Sequence, residues 1–138
     1  MVAELTSADE PERLTVKEKW QGAVTDGSGF VAVPLALLRL QTKYHLTPTE
    51  MLVIINLLAH WWDPARSVFP RTTTVAKRMG VDKRTVQRAI NKAAGLGLLT
   101  KETLADGKRA YDFRPLAKRL ARDVTLSYSL HGEESLHG

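Results

Sequence analysis

Residues 72–91 read TTTVAKRMGVDKRTVQRAIN and carry the most specific chemistry in the chain. Lys83, Arg84, Thr85, Gln87, Arg88, Asn91 and Lys92 share the outer side of a helix whose inner side holds Val86 and Ile90, spaced i, i+4. Arginine and lysine donate to guanine O6 and N7, and glutamine or asparagine matches adenine N6 and N7. The first turns of such a helix enter a major groove, so Arg84, Gln87 and Arg88 are the candidates for base edges. Thr72, Thr73, Lys77, Lys83 and Lys92 suit phosphate oxygens, which fix position without reading sequence. The bland alternative is a solvated face on an ordinary helical hairpin. Against it stands the agreement of several independent requirements in one segment.

Those requirements concern the elements that position the outer face. Two steeply crossing helices need a small residue where they meet, and Ala76 stands there. The chain must then turn sharply, which favours the positive φ open to glycine, and Gly80 follows four residues later. Val81 plugs the turn, Val75 and Met79 give the first helix its inner stripe, and Asp82 is placed to cap the second. The spacing predicts a recognition helix over about residues 82–95.

On the C-terminal side the pattern predicts a hairpin. Leu98 to Leu104 and Ala110 to Phe113 are short strands around Ala105-Asp106-Gly107-Lys108, and Asp-Gly is a strong hairpin signal. Lys101, Lys108 and Arg109 would make this wing basic. Pro115 then opens a further helix carrying Leu116, Leu120 and Val124. On the N-terminal side, Phe30 to Val33 reads as a strand, and Pro34 starts a helix to about Tyr44. Thr47-Pro48-Thr49-Glu50 is a capping-box signature for an almost wholly apolar helix to about Trp62, the kind that is buried centrally. The expected fold is mainly α with a small β-hairpin wing. Its organisation is a flexible acidic segment over 1–29, a winged helix-turn-helix over 30–124, and a flexible tail over 125–138.

Charge follows the same division. The net charge of the 138 residues is +5. Residues 1–33 hold 3 basic and 6 acidic groups, whereas residues 34–123 hold 17 basic and 7 acidic ones. A concentrated basic domain attracts phosphate backbones through its field and through counterion release. With no cysteine, disulfides, thiolate metal sites and cysteine catalysis are excluded. No apolar run is long enough for a membrane span, and the N-terminus lacks the pattern of a secretory signal. A cytoplasmic protein is expected.

The remaining constellations carry little. His45, His60, His131 and His137 show no metal-ligand spacing, and one His60–Asp63 pair makes no site. Gly27-Ser28-Gly29 lacks the Lys-Ser/Thr of a phosphate loop. No enzyme, metal or cofactor is expected. Trp61 and Trp62 stand out, because adjacent side chains on a helix diverge by about 100° and one stripe does not bury both. Either another element covers the second, or it belongs to a homodimer interface.

From Phe30 to about Arg122 the chain resembles the winged helix-turn-helix domains of plasmid and phage replication proteins, including the N-terminal domains of DnaD-like primosomal and initiator proteins. The pieces that carry the resemblance are GFVAVP, LTPTEMLVIINLLAHW, FPRTTTVAKRMGVDKRTVQRAINKAAGLGLLTKE and YDFRPLAKRL. The resemblance implies double-stranded DNA binding without catalysis, often as a dimer or oligomer, alongside other replication or regulatory proteins. It separates the winged helix from other folds better than it separates replication from transcriptional control. The second domain of an initiator is not expected within this chain.

Overall fold

The computed structural model describes residues 15–68 and 70–131, the last five of these by their backbone alone. Two compact units divide at Val31 and Ala32. In the first, residues 15–20 are helical and Gln21–Ala23 form a single 3-10 turn. Lys17 Nζ meets Asp26 at 3.1 Å, and Thr25 and Ser28 exchange hydrogen bonds across a tight turn. This part of the 1–29 segment carries helical and turn structure; residues 1–14 lie outside the described residues.

The second unit contains α1 (Leu35–Arg39), α2 (Pro48–Leu58), α3 (Thr72–Met79), α4 (Lys83–Gly95), β1 (Thr100–Thr103), β2 (Arg109–Asp112) and α5 (Arg114–His131). This is a mainly helical fold with a wing hairpin after the third and fourth helices, a winged helix-turn-helix. Leu37, Val53, Ile54, Leu57, Val75, Val86, Ile90, Leu98 and Phe113 form one buried core. The helix α4 packs against both α2 and α3, and α1 packs against α5. Among the described residues, no helix is long and apolar enough to cross a membrane.

Local signals place most boundaries. At α2 the capping box forms as expected: Glu50 N–H donates to Thr47 Oγ1 at 3.2 Å, and Thr47 N–H donates to Glu50 Oε1 at 2.8 Å. At the end of α3, Gly80 takes φ 67°, and Val81 N–H reaches back to the Ala76 carbonyl at 3.0 Å. That 6→1 bond is the signature of a Schellman ending, and it turns the chain directly into α4. Ala76 and Ala89 are both buried, which lets α3 and α4 approach closely.

Several expectations need correction. Residues 30–33 are not a strand: among the described residues no strand pairs with them. The helix from Pro34 stops at Arg39; the chain continues in turns to His45, whose left-handed φ of 57° ends the segment. The long apolar helix stops at Leu58, four residues short, before a turn at Ala59 and His60. Asp82 occupies the N-cap position of α4, but its side chain makes no capping hydrogen bond. The last helix continues to His131, past the boundary expected at residue 124; residues 132–138 lie outside the described residues.

One buried carboxylate ties α5 to the chain before α2. Asp123 is 3% exposed and accepts a hydrogen bond from the Tyr44 hydroxyl at 2.7 Å. Lys43 and Arg122 lie at 3.6 and 3.3 Å from it. Arg119 lies over the Tyr44 ring at 4.9 Å and donates to the Leu96 carbonyl at the end of α4. The Tyr44 hydrogen bond, with help from Arg122 and Lys43, holds the Asp123 carboxyl below its ordinary value of 3.8. Burial, and then the Asp123 carboxylate, push Tyr44 up to about 12.

Because Asp123 binds its proton less tightly in the folded chain, its contribution to stability is present above pH 3.8 and is lost as pH falls through the lower folded value. Tyr44→Phe removes one hydrogen bond to a charged acceptor and is expected to cost about 1.5–3 kcal/mol at neutral pH, a deficit that shrinks once Asp123 is protonated. Urea denaturation at neutral and strongly acid pH measures both. Gly80→Ala meets no atom within 4 Å. Its expected loss of about 1–2 kcal/mol comes from the left-handed backbone alone, and thermal unfolding reports it.

Candidate nucleic-acid interface

The outer face of α4 is built by burying the inner one. Val86, Ala89, Ile90 and Ala93 are buried, so the positions between them face away from the core. Lys83, Arg84, Arg88 and Asn91 are exposed, while Thr85 and Gln87 are half-buried on the flanks. Among the described residues, Arg84, Gln87 and Arg88 make no side-chain hydrogen bond or ion pair. Three long polar side chains on the first two turns are thus free to meet a ligand. Lys77 is exposed on α3.

The wing stands beside this face. β1 and β2 pair antiparallel, with Lys101 opposite Tyr111 and Thr103 opposite Arg109. Gly107 has φ 85° and closes the loop, where Leu104 N–H bonds the Lys108 carbonyl at 2.8 Å. A three-residue hairpin loop requires a left-handed residue at this place. Below the loop, Tyr111 is buried and exchanges two backbone hydrogen bonds with Val68, at 2.8 and 2.6 Å. The Ser67 hydroxyl also donates to Glu102 at 2.9 Å. The hairpin is thereby fixed to the segment that leads into α3.

Two open clefts result. One, of 440 Å³, lies between α4 and the wing strands, with Gln87, Asn91, Lys101, Glu102 and Arg109 on its walls. The other, of 650 Å³, lies at the start of α3 and brings Arg71, Thr72, Thr73, Lys83, Lys108 and Arg109 together. No side chain caps α3 and no acid occupies its first turn. Its leading N–H groups therefore add partial positive charge to a cleft already lined by cations. Such a surface can hold an anion with a regularly charged backbone.

Of the sequence-derived candidates, Thr72, Thr73, Lys83, Gln87, Asn91, Lys108 and Arg109 line the two clefts, whereas Lys77, Arg84, Thr85, Arg88 and Lys92 do not. Lys92 and Asn91 have partners within the chain. Lys92, expected at a phosphate, turns inward instead. Its ammonium donates to Glu50 Oε1 at 2.7 Å and to the His45 carbonyl at 2.8 Å. Burial works against ionised Glu50, yet the Lys92 and Thr47 hydrogen bonds outweigh it and hold the carboxyl below its ordinary value. Asn91 is exposed, but its Oδ1 accepts from Lys101 Nζ at 2.7 Å. Arg71 and Glu102 were not singled out from the sequence. An arginine directly before the Thr72 helix start was the available signal for the first; nothing local marks the second.

The two adjacent tryptophans lie beyond the end of α2, in irregular chain rather than on the expected helix, and they differ in burial. Trp61 is half-buried and packs against Phe113, with ring centroids 6.4 Å apart, whereas Trp62 is 77% exposed. His60 lies 3.3 Å from Arg78, and burial, with that cation, lowers its proton affinity. Asp63 pairs with Arg66 at 3.4 Å.

A family model described as a helix-turn-helix domain matches residues 44–99. The N-terminal domain of DnaD protein from Geobacillus kaustophilus HTA426 is similar in structure, with a TM-score of 0.58 and 20% identity over 76% of this chain and 88% of that one. No curated protein matches the chain in sequence. These findings agree with the resemblance read from the sequence and with the winged helix-turn-helix fold.

Lys92→Gln tests the inward placement of this lysine. Glu50 is mostly shielded but Lys92 is partly exposed, so the expected loss is only about 0.5–1 kcal/mol. It is read by urea denaturation and shrinks in a Glu50→Gln background, where only the bond to the His45 carbonyl is left to lose.

Proposed function

We propose that the chain binds double-stranded DNA in a sequence-specific manner, with α4 in the major groove and the wing along the neighbouring backbone. The observation that carries this reading is the unpartnered row of Arg84, Gln87 and Arg88 on α4, beside a wing and a helix start lined by Arg71, Lys83, Lys108 and Arg109. Thr72, Thr73 and Lys77 complete the backbone contacts, and Thr85 flanks the reading face. The helix-turn-helix match over residues 44–99 supports it. The process we favour is replication initiation or transcriptional control of a plasmid, phage or other mobile element, in the cytoplasm and without catalysis. The resemblance to plasmid and phage replication proteins supports that choice.

A homodimer suits this role, because two copies reading two half-sites multiply specificity. The exposed Trp62 also favours a second reading, a protein-docking module in a replication or partition complex, for which DNA contact is incidental. Large exposed aromatics are enriched at interface cores.

Selection from a random duplex pool, run beside a salt titration on non-selected duplex, tests the proposal. Convergence on a motif is expected. Arg84→Ala and Gln87→Ala are each expected to relax one position at a cost of about 1–3 kcal/mol, while Lys83→Gln weakens all sequences alike and lowers the salt slope by about 1. Absence of binding at low salt would overturn the DNA reading and favour the docking module.

A further inference from the structure

We propose that Asn91 and Lys101 act as one donor-only reading unit that selects guanine over adenine. The inference rests on the DNA-binding reading above and assigns the base class met by the third turn of α4. Asparagine reads adenine by using both ends of its amide, accepting from N6–H and donating to N7. In this chain the accepting end is engaged by the wing and turned toward it. The Lys101 ammonium reaches across from the wing strand and sits 2.7 Å from Asn91 Oδ1. An ammonium carries donors alone, so the amide must turn its oxygen toward the wing.

Three neighbouring contacts keep this arrangement. Glu102, the carboxylate adjacent to Lys101 in sequence and on the same cleft, is engaged by the Ser67 hydroxyl at 2.9 Å and makes no ion pair among the described residues. Lys92, the next cation along α4, is committed to Glu50 and the His45 carbonyl. The wing itself is held by the Val68–Tyr111 hydrogen bonds. Lys101 therefore meets Asn91 from a fixed strand. What the pair offers to a base is the Asn91 Nδ2–H₂ group and the remaining ammonium hydrogens. That set complements the two acceptors, O6 and N7, at the major-groove edge of guanine, and it opposes the N6 amino group of adenine.

The test compares duplexes selected by the wild-type chain, Asn91→Ala, and Lys101→Met, which keeps an unbranched apolar stem and removes the charge. Asn91→Ala identifies the position by relaxing it. At that position the wild type is expected to prefer guanine over adenine by roughly five- to a hundredfold. Lys101→Met releases Asn91 Oδ1, and the preference is expected to move to adenine while the rest of the motif stays. Matching thermal midpoints show that the wing is intact, and Lys101→Arg, which restores a donor, is expected to restore guanine. The inference is overturned if Asn91→Ala relaxes no position, if the wild type prefers adenine there, or if Lys101→Met leaves the preference unchanged. In each of those cases convergence of the wild-type pool leaves the DNA-binding reading standing. A wild-type chain that binds no duplex overturns both.

Discussion

The two hydrogen bonds between Val68 and Tyr111 fix the geometry on which the candidate interface depends. A two-stranded hairpin alone is marginal in water. Here the β-bridge gives β2 a neighbour on its second edge, and the burial of Ala110, Tyr111 and Phe113 welds the strand to the core. The wing consequently stands at a set distance from α4, and both clefts owe their walls to that distance. The same contact joins the wing to the segment preceding α3, so the start of α3, the outer face of α4 and the hairpin loop belong to one connected frame.

Charge is distributed so that this frame presents cations outward. Glu50 is neutralised by Lys92, Asp123 by Lys43 and Arg122, Asp112 by the fork of Arg114, and Asp106 faces Lys108 at the loop. Most of the acids in the folded unit are thus spent on its own scaffold. Among the cations left over, Lys83, Arg84 and Arg88 stand on the exposed side of α4, and Arg71, Lys77 and Arg109 stand on the neighbouring elements. A net charge alone says little about partners; its sorting into compensated and uncompensated groups says more.

Much of the fold was legible because its signals are local. Thr47 to Glu50, Gly80 and Asp106-Gly107 each demand a specific backbone within four or five residues, and each appears where the sequence placed it. The failures have a common origin in distance. Phe30 to Val33 has the composition of a strand but pairs with no strand among the described residues. The helix after Pro34 ends at Arg39, and the turns beyond it carry Tyr44 to Asp123, a contact between residues 79 positions apart. Of the site, the exposed face of α4 followed directly from helical periodicity. The inward turn of Lys92 and the tie between Asn91 and Lys101 did not, because periodicity assigns a face and says nothing about which long side chain finds a partner on another element.

The anchoring of Lys92 also gives α4 the mechanics of a lever. Its C-terminal end is pinned to two acceptors at the edge of α2, while its N-terminal end carries the free side chains. Lys83 and Lys92 are nine residues apart, an arm of about 13 Å at the rise of an α-helix. A tilt of about 5° around the pinned end displaces the reading end by roughly 1 Å, a sizeable part of a hydrogen bond's length. Small shifts at the Lys92 anchor therefore move Lys83 and Arg84 with gain, whereas Asn91, beside the pivot, moves little.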